Sequence, residues 1–260
     1  MAFKLEPTTA TYLDNIVAAH RASPEPVVTD AQVADAPAPR AFTAALRGDE
    51  LRVIAEIKRR SPSMGDLNVD LDPALMAKAY VDGGAAALSV LTDADYFGGS
   101  VADLQVARAA VDAPVLRKDF TVCAGDVRAA RAMGADAVLL IVAALDDAEL
   151  ASLHRTAVDL GLAVLVEVHD EQELARALAA DARIVGVNQR DLRTFEVDHE
   201  RAIRMAAKIP NDVVRVAESG VRDAHDARRL RDAGYDAILV GQTVVTAGDP
   251  ADMVRSLRCS

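Results

Sequence analysis

The sequence predicts a closed (β/α)8 barrel, the TIM-barrel architecture, with an N-terminal helical extension, and three observations predict it. From Arg52 onward, short β-branched or Leu-rich runs alternate with longer Ala-, Leu- and Arg-rich stretches of helical period. The short runs number eight within roughly 210 residues, which suits a fold that typically occupies about 250. Two helix-to-strand junctions, MGADAVLL at 133–140 and AGYDAILV at 233–240, repeat one pattern: a helix closed by Gly, then a strand. An open doubly wound sheet also alternates strands and helices, but no G-x-G-x-x-G follows the first run here. Residues 1–260 read as a single barrel domain, of which residues 1–51 form the extension.

The elements follow in order. A short helix is expected near Thr11 to His20. Residues 21–40 hold Pro24, Pro26, Pro37 and Pro39 among Ala, Val and Asp, and read as an irregular connector. Strands are expected at 52–57 (RVIAEI), 86–91 (AALSVL), 114–117 (PVLR) and 136–142 (DAVLLIV). The series continues at 163–168 (AVLVEV), 183–188 (RIVGVN), 213–218 (VVRVAE) and 236–241 (DAILVG). The stretches between them are crossover helices; in the one from Asp147 to Leu160, Leu150, Leu153, Ala157 and Leu160 share a face.

Composition narrows the function. The chain carries 29 Lys and Arg against 40 Asp and Glu, a net charge of −11, where a nucleic-acid-binding surface needs an excess of cations. A hydrophobic content of 51% with 27% charged residues is that of a globular protein rather than a disordered one. The longest apolar run, Ala137 to Leu145, is half of what a membrane span needs, and the first ten residues lack the apolar core of a signal peptide, so a cytoplasmic protein is expected. Cys123 and Cys259 are too few for a disulfide framework and lack zinc-site spacing; both are expected as reduced thiols. The five histidines (His20, His154, His169, His199, His225) show no metal-ligand spacing and read as ordinary surface residues, with His169, after the fifth strand, the one nearest the barrel mouth; no metal is expected. Neither a nucleophile elbow nor a P-loop is present.

The strand ends carry the chemistry. Side chains alternate along a strand, so Glu56 and Lys58 project to the same side, and Lys118, Glu167, Asn188, Glu218 and Ser219 lie at other strand ends. Barrel active sites sit at that end, and these groups donate, accept or transfer protons. Only five basic residues are lysines (Lys4, Lys58, Lys78, Lys118, Lys208), and Arg serves wherever bulk positive charge suffices. One lysine at a strand end reads as the buried partner of an acid; two point to a tuned proton donor, because Lys titrates where Arg does not. Gly220 and Gly241, at the seventh and eighth strand ends, lead into polar loops where barrels often hold a phosphate on backbone amides. In so acidic a protein the anion needs local cations, for which Lys58, Arg60, Lys118 and Arg190 are candidates, making the rim positive.

These residues spell a known pattern. AEIKRRSPS (55–63), DYFGGS (95–100), VLRKDF (115–120), GADAVLLI (134–141) and LVEVHD (165–170) closely resemble indole-3-glycerol phosphate synthase, as do GVNQRDL (186–192), VAESGV (216–221) and ILVGQ (238–242). The resemblance implies an extension packed over the barrel mouth and a cofactor-free reaction of tryptophan synthesis. In it 1-(2-carboxyphenylamino)-1-deoxyribulose 5-phosphate closes to indole-3-glycerol phosphate, losing carbon dioxide and water. It implies Lys118 as general acid for ring closure, and Lys58 with Glu167 or Glu56 for dehydration. By the same resemblance Asn188 and Ser219 hydrogen-bond the substrate and its polar partners, Arg190 supports the carboxylate network, and Glu218 is the acid ending the seventh strand. Phe97 and Phe120 would pack around the anthranilate ring, while Ser61, Gly220, Gly241 and Gln242, with Arg60, would grip the phosphate. A monomer is expected, able to associate with other enzymes of the tryptophan pathway. Three positions depart from the pattern: Met64 stands where lysine is usual, Gln189 where Asn is, and Gln242 where Glu or Ser is. They bear on loop closure and turnover, since none removes a proton-transfer group. A phosphoribosylanthranilate isomerase on the same barrel generally works with a Cys and Asp pair, whereas this mouth offers lysines and glutamates. A non-catalytic sugar-phosphate binder would have no need of two lysines flanked by glutamates.

Overall fold

The computed structural model describes residues 11–191 and 195–259; the first ten residues of the expected extension, and Leu192 of the GVNQRDL segment, lie outside them. Eight parallel strands close on themselves: β1 (Arg52–Ile57), β2 (Ala87–Leu91), β3 (Val115–Lys118), β4 (Ala137–Ile141), β5 (Ala163–Val168), β6 (Ile184–Asn188), β7 (Val214–Glu218) and β8 (Ala237–Val240). Every expected run is a strand, with ends displaced by at most one residue. Alternation decides what each strand buries. On β1, Val53, Ala55 and Ile57 face the helices, while Ile54 joins Leu116, Leu139, Leu165 and Val216 inside the barrel.

Around the barrel run α4 (Pro73–Asp82), α5 (Val101–Ala110), α6 (Ala124–Ala132), α7 (Asp147–Asp159), α8 (Glu171–Ala179), α9 (Arg201–Ala206), α10 (Ala224–Asp232), α11 (Gln242–Val245) and α12 (Pro250–Leu257). Asp72, Asp146, Asp170, Asp223 and Asp249 accept from the first free amides of α4, α7, α8, α10 and α12, so part of the acidic composition serves as helix caps. The repeated junctions use glycine as expected: Gly134 and Gly234 take φ of +93° and +95°, which a β-carbon would disfavour.

The extension holds α1 (Tyr12–Ala22), α2 (Asp30–Asp35) and α3 (Phe42–Ala45). Helix α1 lies over the mouth, where Tyr12, Leu13 and Ile16 line the cavity described below. The connector is not irregular throughout: α2 forms within it, closed at its start by a reciprocal cap between Thr29 and Gln32. From there the chain descends along α6, where the Arg128 and Arg131 guanidiniums donate to the carbonyls of Val28, Ala36 and Pro37. At the lower end the fully buried Asp136 accepts from the amides of Arg40 and Val115 and from Arg108. Phe42 and Leu46 then join the apolar interior.

Candidate active site

Alternate strands contribute the inward residues of each barrel layer. The strand registers place Ile54, Leu116, Leu165 and Val216 in one layer and Glu56, Lys118, Glu167 and Glu218 in the layer above. Aliphatic packing gives way there to three carboxyls and an ammonium. Lys118 Nζ stands 3.6 Å from Glu167 Oε2, and Lys58, one turn of the alternation above Glu56, reaches it at 2.6 Å. Asn188 donates to Glu167 Oε1 at 3.0 Å while its own oxygen accepts the Arg190 amide, so the carboxylate is held from one side by a fixed amide.

Burial sets the charge states. Desolvation alone would lower the Lys118 pKa, but the Glu167, Glu218 and Glu56 carboxyls outweigh it and raise it above the ordinary lysine value. Lys118 is therefore an ammonium at neutral pH. Glu167 is pushed up by burial, yet Lys118, His169 and Asn188 bring it below the usual carboxylate range. Glu218 goes the other way: burial and the neighbouring Glu167 charge raise it well above that range. The layer holds one carboxylate paired to an ammonium beside one carboxylic acid, the divergent pair of environments from which acid and base roles are built.

Over this layer opens a cavity of about 310 Å³. It brings together Glu56, Lys58, Ser61, Phe97, Lys118, Phe120, Glu167, Asn188, Arg190, Glu218, Ser219, Gly220, Gly241 and Gln242. One wall is apolar: Phe97 and Phe120, with ring centroids 6.2 Å apart, face Leu13 and Ile16 of α1. The opposite wall is the Ser219–Gly220 and Gly241–Gln242 loops. Ser219 and Gly220 both take left-handed backbone, φ +64° and +74°, a conformation costly for serine and characteristic of backbone shaped around a ligand. Gly241 precedes α11 and offers its first amides no side-chain cap.

Arg60 is the exception among the expected residues. Its guanidinium donates to the carbonyls of Ala94 and Asp95 in the loop after β2, and it does not line the cavity. Arg222 lines it instead, close to Gly220, although Asp226 pairs with its guanidinium at 2.7 Å. The rim is thus less positive than the sequence suggested. Lys58, Lys118, Arg190 and Arg222 face Glu56, Glu167 and Glu218 across it, which is near balance, and the proton on Glu218 supplies part of the remaining positive bias. Among the departures, Met64 stands 56% exposed at the loop tip after β1. Gln189 is buried and donates to the Ser219 carbonyl at 2.8 Å, which fixes the strained peptide.

Sequence reasoning missed Gly186 on β6. A β-carbon there would lie 1.9 Å from Glu218 Oε1, so the absent side chain is the space the carboxyl occupies. Gly241 does the same for Glu56, whose Oε1 would be 2.3 Å away. The histidines are also not all surface residues. His154 is buried, His169 pairs with Glu173 at 3.0 Å behind Glu167, and His20 pairs with Asp93 at 3.0 Å. His20, Asp93 and Asp119 come from segments far apart in sequence, which is why no spacing announced them.

The family model described as indole-3-glycerol phosphate synthase matches residues 8–257. The indole-3-glycerol phosphate synthase of Parafrankia sp. (strain EAN1pec) is 55% identical over 85% of this chain and 82% of its own length. That of Mycolicibacterium vanbaalenii is 50% identical over 95% and 94%. Among solved structures, a thiamine phosphate pyrophosphorylase from Pyrococcus furiosus superposes with a TM-score of 0.60 at 19% identity, covering 83% of this chain and 95% of its own. The N-acetylmannosamine-6-phosphate 2-epimerase from Clostridium perfringens gives 0.62 at 14% identity, over 78% and 90%. At those identities the superpositions speak to the barrel alone.

Proposed function

The chain belongs to the indole-3-glycerol phosphate synthase family, and from that membership we propose how its own residues close the indole ring. The reaction is a decarboxylating ring closure in tryptophan biosynthesis. The aromatic carbon bearing the carboxylate attacks the ketone, carbon dioxide leaves, and water is then lost from the former ketone carbon and its neighbour. The aryl ring lies against Phe97 and Phe120, and the phosphate lies on the loops carrying Ser61, Gly220, Gly241 and Gln242. That orientation sets the ketone above the charged layer.

Lys118 gives its proton to the ketone oxygen as the new carbon–carbon bond forms. The observation that carries this role is its position: a cavity-lining ammonium whose pKa is raised by the carboxyls beneath it. Lys58, from the next layer up, protonates the departing hydroxyl. Glu167 takes the remaining ring proton; Asn188 orients it and its Oε2 has no hydrogen-bond partner among the described residues, whereas Glu56 is engaged by Lys58. Ser219 and Arg190 hold the substrate's polar groups, and Glu218 keeps the layer's charge in balance. One chain supplies acid, base, ring wall and anion loops, which supports a monomer as the working unit. A cytoplasmic setting, where thiols stay reduced, fits the two free cysteines.

The test is direct. Purified protein is mixed with the carboxyphenylamino sugar phosphate and indole fluorescence is followed. Lys118→Ala is expected to lower kcat by about 10²–10⁴, the usual contribution of a positioned acid, with KM little changed. A variant that folds and turns over at the wild-type rate removes Lys118 from the mechanism.

A further inference from the structure

His20 sits in the last turn of α1, over the apolar wall. Its ring lies 5.3 Å from that of Phe120. Its Nε2 is 3.0 Å from Asp93 Oδ2 and 4.0 Å from Asp119 Oδ1. The two aspartates also hold the phenylalanine backbones. Asp93 Oδ1 accepts from the amides of Tyr96 and Phe97 at 2.7 and 3.1 Å, and Asp119 Oδ1 accepts from the Phe120 amide at 2.8 Å. Behind them Asp119 Oδ2 accepts from Thr92 and Arg117, so the second aspartate is fixed to the barrel. A single imidazole on the extension therefore touches the anchors of both rings in the site.

We infer that His20 is a positioning residue for the reaction: by bridging Asp93 and Asp119 while packed on Phe120, it couples closure of α1 to the placement of Phe97 and Phe120 around the substrate's aryl ring. The inference rests on the assignment of those two phenylalanines to the aryl ring. The groups facing His20 are Asp93 in the loop after β2, Asp119 with its partner Arg117 at the end of β3, and Asp126 in α6. The hydrogen bond to Asp93 raises the imidazole pKa, burial opposes it, and Asp119, Asp93 and Asp126 add to the rise. Protonated, the ring attracts both carboxylates; neutral, it still donates to one but attracts neither strongly. The latch is thus closed below the imidazole pKa and loosens as pH rises through it.

Steady-state kinetics of the full chain across this titration read the coupling. In the wild type, KM is expected to rise about fivefold from the acid to the alkaline side, with kcat carrying less of the change. His20→Gln keeps a donor without a titration and should show the high KM at every pH; His20→Arg restores a charge and should hold KM low without the break. Asp93→Asn, which keeps an oxygen for the two amides but removes the anion, should also lose the break. The substrate phosphate titrates near about 6 in all of these proteins, so the ratio of variant to wild-type KM isolates the imidazole. A ratio that does not vary with pH overturns the inference, as does a break that survives in Asp93→Asn. A purely structural role would lower stability without changing the shape of the profile. Phe120→Leu separates the two claims: if it leaves KM unchanged the ring assignment fails, and if it raises KM while the His20 ratio stays flat only the latch fails.

Discussion

Three glutamates and two lysines meet above the apolar barrel floor, and their charges balance at neutral pH when one carboxyl keeps its proton. Burial and the neighbouring Glu167 charge put that proton on Glu218. A carboxyl whose folded pKa exceeds its unfolded value contributes stability that is complete below the ordinary glutamate value of 4.5 and is lost as pH rises through the folded value. Gln has no proton to lose. Glu218→Gln is therefore expected to melt higher than the wild type at neutral pH, by roughly 2–4 °C for each kcal/mol of relieved strain, with the gap closing toward pH 4.5. The same change should lower kcat by about tenfold or more, because the site's charge balance shifts. Calorimetry and fluorescence assays across pH check both halves. The residue type and the strand-end position of Glu218 were legible in VAESGV; its protonation was not, because that depends on a carboxylate from a strand fifty residues away in the chain, Glu167.

At the scale of elements, β6 shows how one strand serves another. Gly186 reads in sequence as an ordinary small residue in a buried strand, yet it is opposite the Glu218 carboxyl. Gly186→Ala is expected to cost about 1–3 kcal/mol by overpacking and to lower kcat by more than the stability loss explains, since Glu218 must move. Combined with Glu218→Ala, the thermal penalty should largely vanish; additive losses in the double variant would show that the two positions are not in contact. The strands themselves were legible to within a residue because alternation is a local property. Helix α2 was not, since six residues among prolines carry little summed propensity, although the Thr29-x-x-Gln32 cap was available as a mark of its start. Arg60 was misplaced for a related reason: the loop after β1 is close enough to the loop after β2 for carbonyls to claim its guanidinium.

The whole molecule brings these parts to one pH response. Glu167, below its ordinary range, stays ionised into acid solution, and Lys118, above its ordinary range, stays protonated into alkali. The kcat profile at saturating substrate is expected to show a broad plateau, its acid limb below 4.5 and its alkaline limb above 10.5. A limb near neutrality in kcat would mean that another group limits the chemistry. The amino-acid sequence by itself determined the eight strands, their inward residues and the polar character of their ends, because pleat alternation and helical period are written in near neighbours. Only the tertiary structure decided which inward residues share a layer, which carboxyl is neutral, and that an imidazole on the extension reaches both ring anchors. Those outcomes arise from strand register and desolvation, which act between groups that closure of the barrel brings together from distant parts of the chain.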